Sequence, residues 1–174
     1  ARVAIIGAGD IGFDVAELLT HRDQGGSPVE AFRREWGIDA SVRERGGLVA
    51  PDEAPPPRQV WLLQRKAERV GERLAKTTGW IRRTLLGRRQ VHMLAGVEYE
   101  RIDDAGLHLR VGGEPRVLEV DTIVVCAGQE PLAGLHEALA GSGVRTHLIG
   151  GARLAAELDA VRAIEEGTRI ALTL

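Results

Sequence analysis

The chain has 174 residues, 44% hydrophobic and only 3% aromatic, with a net charge of −2. That length holds one domain with its own core, or one domain and part of a second, and the core must be built from Leu, Val, Ile and Ala. The charge gives no basic footprint for nucleic acid and no pull toward a membrane surface. No apolar run spans a bilayer, no signal peptide is read, and a single Cys126 excludes an internal disulfide or a cluster held by four thiolates of this chain, which predicts a reducing, cytoplasmic setting.

In chain order, Arg2–Ile6 predicts a buried parallel strand stopped by Gly7. Asp10–His21 predicts a helix whose Ile11, Val15, Leu18 and Leu19 recur at helical spacing and face a sheet. Residues 22–59 are polar and rich in Gly and Pro, and read as an inserted surface excursion, partly mobile. Within it Ser27-Pro28-Val29-Glu30 has the form of a capping box with Pro at the first helical position, predicting a short helix through Trp36 that Gly37 stops. Val60–Gln64 is the second strand. Residues 71–88 are a helical stretch, interrupted or restarted near Thr77-Thr78-Gly79, and Val91–Ala95 is the third strand.

Val97–Ile102, Leu107–Val111 and Arg116–Val120 follow, parted by the turn formers Asp103-Asp104-Ala105-Gly106 and Gly112-Gly113-Glu114-Pro115. Their spacing leaves no room for helices and predicts a β-meander. Thr122–Cys126 is another apolar strand, Pro131–Leu139 a helical turn or more, Thr146–Ile149 a strand, and Ala152–Glu166 an amphipathic helix with Leu154, Leu158, Val161 and Ile164 on one side. The order predicts an α/β fold: a Rossmann-like, mostly parallel sheet in which a β-meander replaces one crossover helix.

Gly7-Ala8-Gly9-Asp10-Ile11-Gly12 matches G-x-G-x-x-G between a predicted strand and a predicted helix. Gly7 permits the tight turn, Gly9 lets a pyrophosphate approach the backbone, and Gly12 lets the helix lie close to the strand. Free N–H groups and the dipole of the helix N-terminus favour phosphate. The pattern predicts dinucleotide binding; a tight turn packed without ligand is the alternative. An acidic residue that would hold the ribose of NAD is absent from the second strand's end, which reads Leu63-Gln64-Arg65-Lys66. Arg65 and Lys66 attract a 2′-phosphate where a carboxylate would repel it, so the pair predicts NADP(H), with Arg69 and Arg73 close in sequence; solvated surface charge is the other reading.

Thr77 and Thr78, with Trp80, stand where a loop meets a helix, as caps or as cofactor contacts. Gly128, past the last core strand, lets backbone come close to a cofactor, and Cys126 reads as a small core residue rather than a nucleophile. The five His residues are scattered without metal spacing. Tyr99 is followed four residues on by Asp103, so the Tyr-x-x-x-Lys pair of short-chain reductases is absent. A cofactor site with no acid–base partner suits hydride transfer to a flavin, where the protein mainly aligns two rings.

The glycine turn with "GFDVAELL", then "VWLLQRK", "KTTGWIRRTL", "VVCAGQEP" and "HLIGGARLAAELDAVRAIEEGTRIA" resemble the C-terminal part of bacterial-type NADPH-dependent 2,4-dienoyl-CoA reductases. The resemblance covers nearly the whole chain, least clearly residues 38–58. It implies a glutathione-reductase-type NAD(P)-binding domain in a multidomain enzyme of fatty acid β-oxidation. In that family a barrel domain carries FMN, a 4Fe–4S cluster and the substrate site. Hydride passes from NADPH to FAD, electrons pass through the cluster to FMN, and the dienoyl thioester is reduced.

By position, Gly7, Gly9 and Gly12, in one turn with Ala8, Asp10 and Ile11, would meet the NADPH pyrophosphate. Arg65 and Lys66 would hold the 2′-phosphate, and Thr77 and Thr78 would lie near the nucleotide. Asp10 stands where many such turns have a small residue, and its carboxylate must point away from the phosphates. The resemblance makes residues 1–144 the NADPH-binding domain. Residues 145–174 become a returning strand–helix of an FAD-binding domain, where Gly150 and Gly151 offer N–H groups to FAD or merely finish the local fold. The expected partners are NADPH and the FAD-binding and barrel domains of the same polypeptide. The chain alone is then expected to bind NADPH without reducing dienoyl-CoA. An enoate or amine-type flavin reductase and a non-catalytic nucleotide sensor are the competing functions.

Overall fold

A computed structural model describes every residue except Gln24, Glu53 and Glu157. Two compact units follow one another, Ala1–Ala127 and Gly128–Leu174.

The first unit is built on a parallel sheet of β1 (Arg2–Ile6), β2 (Gln59–Leu63), β3 (His92–Leu94) and β7 (Thr122–Val125), in the order β3-β2-β1-β7. Between β3 and β7 the chain makes an antiparallel meander of β4 (Val97–Asp103), β5 (Gly106–Val111) and β6 (Glu114–Leu118). Successive side chains of a strand point to opposite faces, and both faces of this sheet are covered. Val3, Ile5, Val60 and Leu62 pack against Phe13 and Ala16 of α1 (Asp10–Thr20) and Leu86 of α3 (Gly79–Arg88). Ala4, Trp61 and Leu63 pack against Val97, Leu107, Leu109 and Leu118 of the meander. This is why β1 and β2 are unbroken apolar runs rather than alternating ones. The meander takes the place of a helix layer on one face.

The inserted segment holds α2 (Pro28–Trp36). Its capping box forms: Ser27 Oγ accepts from the Glu30 N–H, and the Glu30 carboxylate accepts from the Ser27 N–H. Gly37 ends it in the left-handed region, φ 67°. Arg89 at the end of α3 donates to the Glu35 carboxylate at 2.6 and 2.8 Å, and the Arg88 guanidinium lies 4.8 Å from the Trp36 ring centre, so the insertion is tied to the body of the unit.

Several expected boundaries shift for physical reasons. The buried side of α1 is Gly12, Phe13, Ala16 and Thr20, with Ile11 and Leu18 exposed; the need to lay Gly12 on the sheet sets the rotation. Residues 70–78 are turns rather than helix, because Gly71 is left-handed at φ 76° and a side chain there would strike Phe13. In the second unit α4 (Gly134–Leu139) forms, but Thr146–Ile149 is not a strand: no strand of that unit, among the described residues, stands beside it to share hydrogen bonds. The single helix expected over 152–166 is instead α5 (Gly150–Arg153) and α6 (Ala160–Ala171). Asp159 makes the break, its carboxylate accepting from the Arg162 N–H at 2.8 Å as an N-cap. The Arg162 guanidinium donates to the freed carbonyls of Leu154 and Ala156. Val161 and Ile164 on α6 are exposed.

An added Cβ at Gly12 would overlap the Gly7 carbonyl oxygen and lie 3.3 Å from Leu62 Cδ1. Gly12→Ala is therefore expected to destabilise the chain by more than about 3 kcal/mol, or to prevent folding. Denaturant unfolding measures it, and a loss under about 1 kcal/mol, the helix-propensity scale, would contradict this packing.

Candidate functional site

The register pairs Ile6 with both Leu63 and Val125, so β1, β2 and β7 end level and their following loops share one edge. The strand order reverses between β2 and β7 about β1. A parallel α/β sheet binds ligands at the carboxyl ends of its strands where this reversal opens a crevice. The glycine turn leaves β1 there. The Gly7 N–H donates to the Leu63 carbonyl at 2.9 Å and the Cys126 N–H to the Ile6 carbonyl at 2.8 Å, stitching the turn to both neighbouring strands. Gly7 has φ 112°, and a Cβ would lie 2.5 Å from the Cys126 carbonyl oxygen. Gly9, the N-cap of α1, is extended, with nothing within 4 Å of where a Cβ would stand, and no side chain caps the helix. The result is an open backbone floor at an uncapped helix N-terminus, which suits an anion.

Ala8 is half-buried beside this turn, while Ile11 is exposed on the first turn of α1. Asp10 is turned to α3, where Arg82 Nη1 donates to its carboxylate at 3.3 Å. Arg82 also pairs with Asp14 and lies 5.7 Å from the Phe13 ring centre. Sequence reasoning missed Arg82; two acids spaced four apart on α1, facing a helix that carries arginines, were its only signal.

Arg65 and Lys66 follow directly on β2 and are exposed. Their backbone is braced from three sides. The Gly96 N–H donates to the Lys66 carbonyl at 3.0 Å, the Val97 N–H to the Gln64 carbonyl at 2.9 Å, and the Gln64 side-chain amide to the Lys66 and Glu68 carbonyls. Arg69 and Arg73 are engaged by Glu72 and Glu68, whereas Arg65 makes no hydrogen bond or ion pair among the described residues. Thr77 and Thr78 lie exposed before α3; Thr78 is its N-cap residue, but its hydroxyl makes no capping bond.

The Cys126 thiol is half-buried and burial pushes its pKa up, away from the nucleophilic form. Gly128, left-handed at φ 87°, begins the second unit. There Gly150 donates its N–H to the Glu166 carboxylate at 2.6 Å, and Arg153 pairs with the same carboxylate. Gly151 sits on α5, where a Cβ would meet Leu158 Cδ2 at 3.1 Å. Among the described residues no group of three or more His, Cys, Asp or Glu is placed to hold a metal ion, and no helix is long and apolar enough to cross a membrane.

Residues 1–153 match the family described as pyridine nucleotide-disulphide oxidoreductase. The chain belongs to that family. Its fold is the nucleotide-binding fold of these flavin-dependent oxidoreductases, with the parallel four-stranded sheet and meander described above. Among solved structures, the chain superposes on 2-naphthoyl-CoA reductase in complex with 2-naphthoyl-CoA with a TM-score of 0.60 and 18% identity, covering 99% of this chain and 21% of that one. It superposes on the bacillithiol disulfide reductase of Staphylococcus aureus with a TM-score of 0.50 and 16% identity, covering 86% of this chain and 35% of that one. The family chain described here thus spans about a fifth to a third of the length of these two.

The Arg153 side chain, then the Gly150 N–H, hold the Glu166 carboxyl at about 2, below its ordinary 4.5. A lowered folded pKa means that the ionised link contributes stability above about pH 4.5 and loses it as pH falls toward 2. The Gly150 amide is expected to keep its protection from hydrogen exchange down to about pH 4 and to lose it between about pH 4 and 2, with Glu166→Gln removing the transition. A flat profile would contradict the link.

Proposed function

We propose that the chain is the NADPH-docking part of a multidomain flavin oxidoreductase that reduces 2,4-dienoyl-CoA thioesters. The observation that carries the nucleotide choice is Arg65. It is an exposed cation without a hydrogen bond or ion pair among the described residues, it follows β2 next to the glycine turn, and the strand end Leu63-Gln64-Arg65-Lys66 holds no acid.

The residues fit the nucleotide. Gly7 and Gly12 are held so tightly that side chains there would overlap backbone, while the space at Gly9 is open. The N–H groups of Ala8 to Gly12 would hold the pyrophosphate, and Gly9 lets it approach. Asp10 stays clear by pairing with Arg82. Arg65 and Lys66 would hold the 2′-phosphate. Thr77 and Thr78 would border the nucleotide from the α3 side. NADPH, when bound, supplies a hydride to flavin. The chain's own task is to bind and orient, which accounts for a site without an acid–base pair.

Residues 145–174 are assigned to an FAD-binding domain. Gly150 shapes the α5 turn rather than offering its N–H to FAD, because Glu166 already takes it. FMN, the 4Fe–4S cluster and the substrate site belong to a barrel domain of the same polypeptide. The dienoyl-CoA substrate rests on the motif strings from "GFDVAELL" to "EEGTRIA"; a structural neighbour that superposes over 99% of this chain is itself a reductase solved with a CoA thioester. A related enoate or amine-type reductase is the second reading, since the nucleotide site is the same for both.

Arg65→Ala with Lys66→Ala is expected to weaken NADPH binding at least about tenfold and leave NADH binding within about twofold, because charge-assisted bonds contribute about 1.5–3 kcal/mol each. Titration calorimetry with both nucleotides reads this, and an equal loss for the two would reject the assignment. In the full-length enzyme, NADPH should bleach the flavin and a dienoyl-CoA should restore it in stopped-flow. Restoration by a simple enoate and not by the thioester would favour the second reading.

A further inference from the structure

Tyr99 is the chain's single tyrosine. It lies on β4 two residues beyond Val97, the residue whose N–H is bonded to the Gln64 carbonyl beside Arg65. Residues two apart on a strand share a face, and Val97 and Tyr99 both pack into the core between sheet and meander. β4 therefore starts beside the end of β2 that carries Arg65 and Lys66, and Tyr99 lies two residues along it. Its hydroxyl oxygen is sealed from water and has no hydrogen-bond partner. Such a group is destabilising and rare in folded proteins. Burial pushes the phenol up to about 12, and the positive field of Arg65 works against that rise, so the two groups are within electrostatic reach. A guanidinium has five N–H donors in a fixed fork, and none of those of Arg65 is engaged among the described residues.

We infer that Tyr99 is a positioning residue for nucleotide selectivity: its buried hydroxyl oxygen accepts a hydrogen bond from Arg65 when the guanidinium turns onto the 2′-phosphate, fixing the direction of the fork. The unpaired hydroxyl of the free chain is then satisfied only in the complex with the phosphorylated nucleotide. The inference rests on the proposed phosphate role of Arg65. A positioning role of this kind acts on nucleotide binding and not on the hydride step.

The test is a cycle of Tyr99→Phe, Arg65→Ala and the double variant of the full chain, titrated calorimetrically with NADPH and NADH, with thermal unfolding of each nucleotide-free chain. Tyr99→Phe is expected to weaken NADPH about fivefold, leave NADH unchanged, and keep or raise the unfolding midpoint, because an unpaired buried hydroxyl has been removed. On the Arg65→Ala background it should cost nothing further. An unchanged NADPH affinity, an equal loss for both nucleotides, or a midpoint lowered by several degrees would overturn the inference and leave Tyr99 a core residue. If Arg65→Ala separates NADPH from NADH while Tyr99→Phe does not, only this inference falls. If Arg65→Ala fails to separate them, the phosphate reading of Arg65 falls with it.

Discussion

The structure depends on backbone meeting backbone without side chains between. Gly7 lies under the Cys126 carbonyl and Gly12 lies against the Gly7 carbonyl. These two approaches bring the start of α1 down onto the junction of β1, β2 and β7. They also hold Gly9 and the first N–H groups of α1 at an open edge. A methyl group at either position would push the helix away and fill or tilt that floor. The open floor proposed to hold an anion is thus a by-product of packing density at a strand-to-helix turn.

The second constraint is that the sheet is covered on both faces by different materials. Helices α1 and α3 cover one and the meander covers the other. The meander does more than seal the core, because Gly96 and Val97, where it begins, donate to the Lys66 and Gln64 carbonyls. The cationic end of β2 is therefore held by the same element that closes the core. Arg82 performs a matching task on the helical face by drawing Asp10 and Asp14 toward α3.

Much of this was legible in the sequence where local chemistry decides. The glycine spacing, the capping box at Ser27, the closely spaced meander and the cations after β2 each carry their cause in a few adjacent residues. What was not legible depends on distant partners. The rotation of α1 is set by Gly12 meeting Gly7, not by the periodicity of Ile11 and Leu18. Thr146–Ile149 has strand composition but, among the described residues, no strand of its unit beside it, and Asp159 breaks a helix that periodicity alone would continue. The engagement of Gly150 with Glu166 joins residues 16 apart through a side chain. The unpaired hydroxyl of Tyr99 is visible only once the meander is folded onto the sheet.

The central claim is that one edge of the sheet, and no other surface, takes the nucleotide through the glycine turn and the end of β2. Backbone amide resonances of the chain titrated with NADPH test it directly. The account predicts that the largest shifts fall on Ala8–Gly12 and on Gln64–Lys66, with the cavity lined by Thr20, Phe32, Glu35, Asp52, Pro56 and Arg88 unmoved. Shifts concentrated in that cavity, with the glycine turn silent, would contradict it.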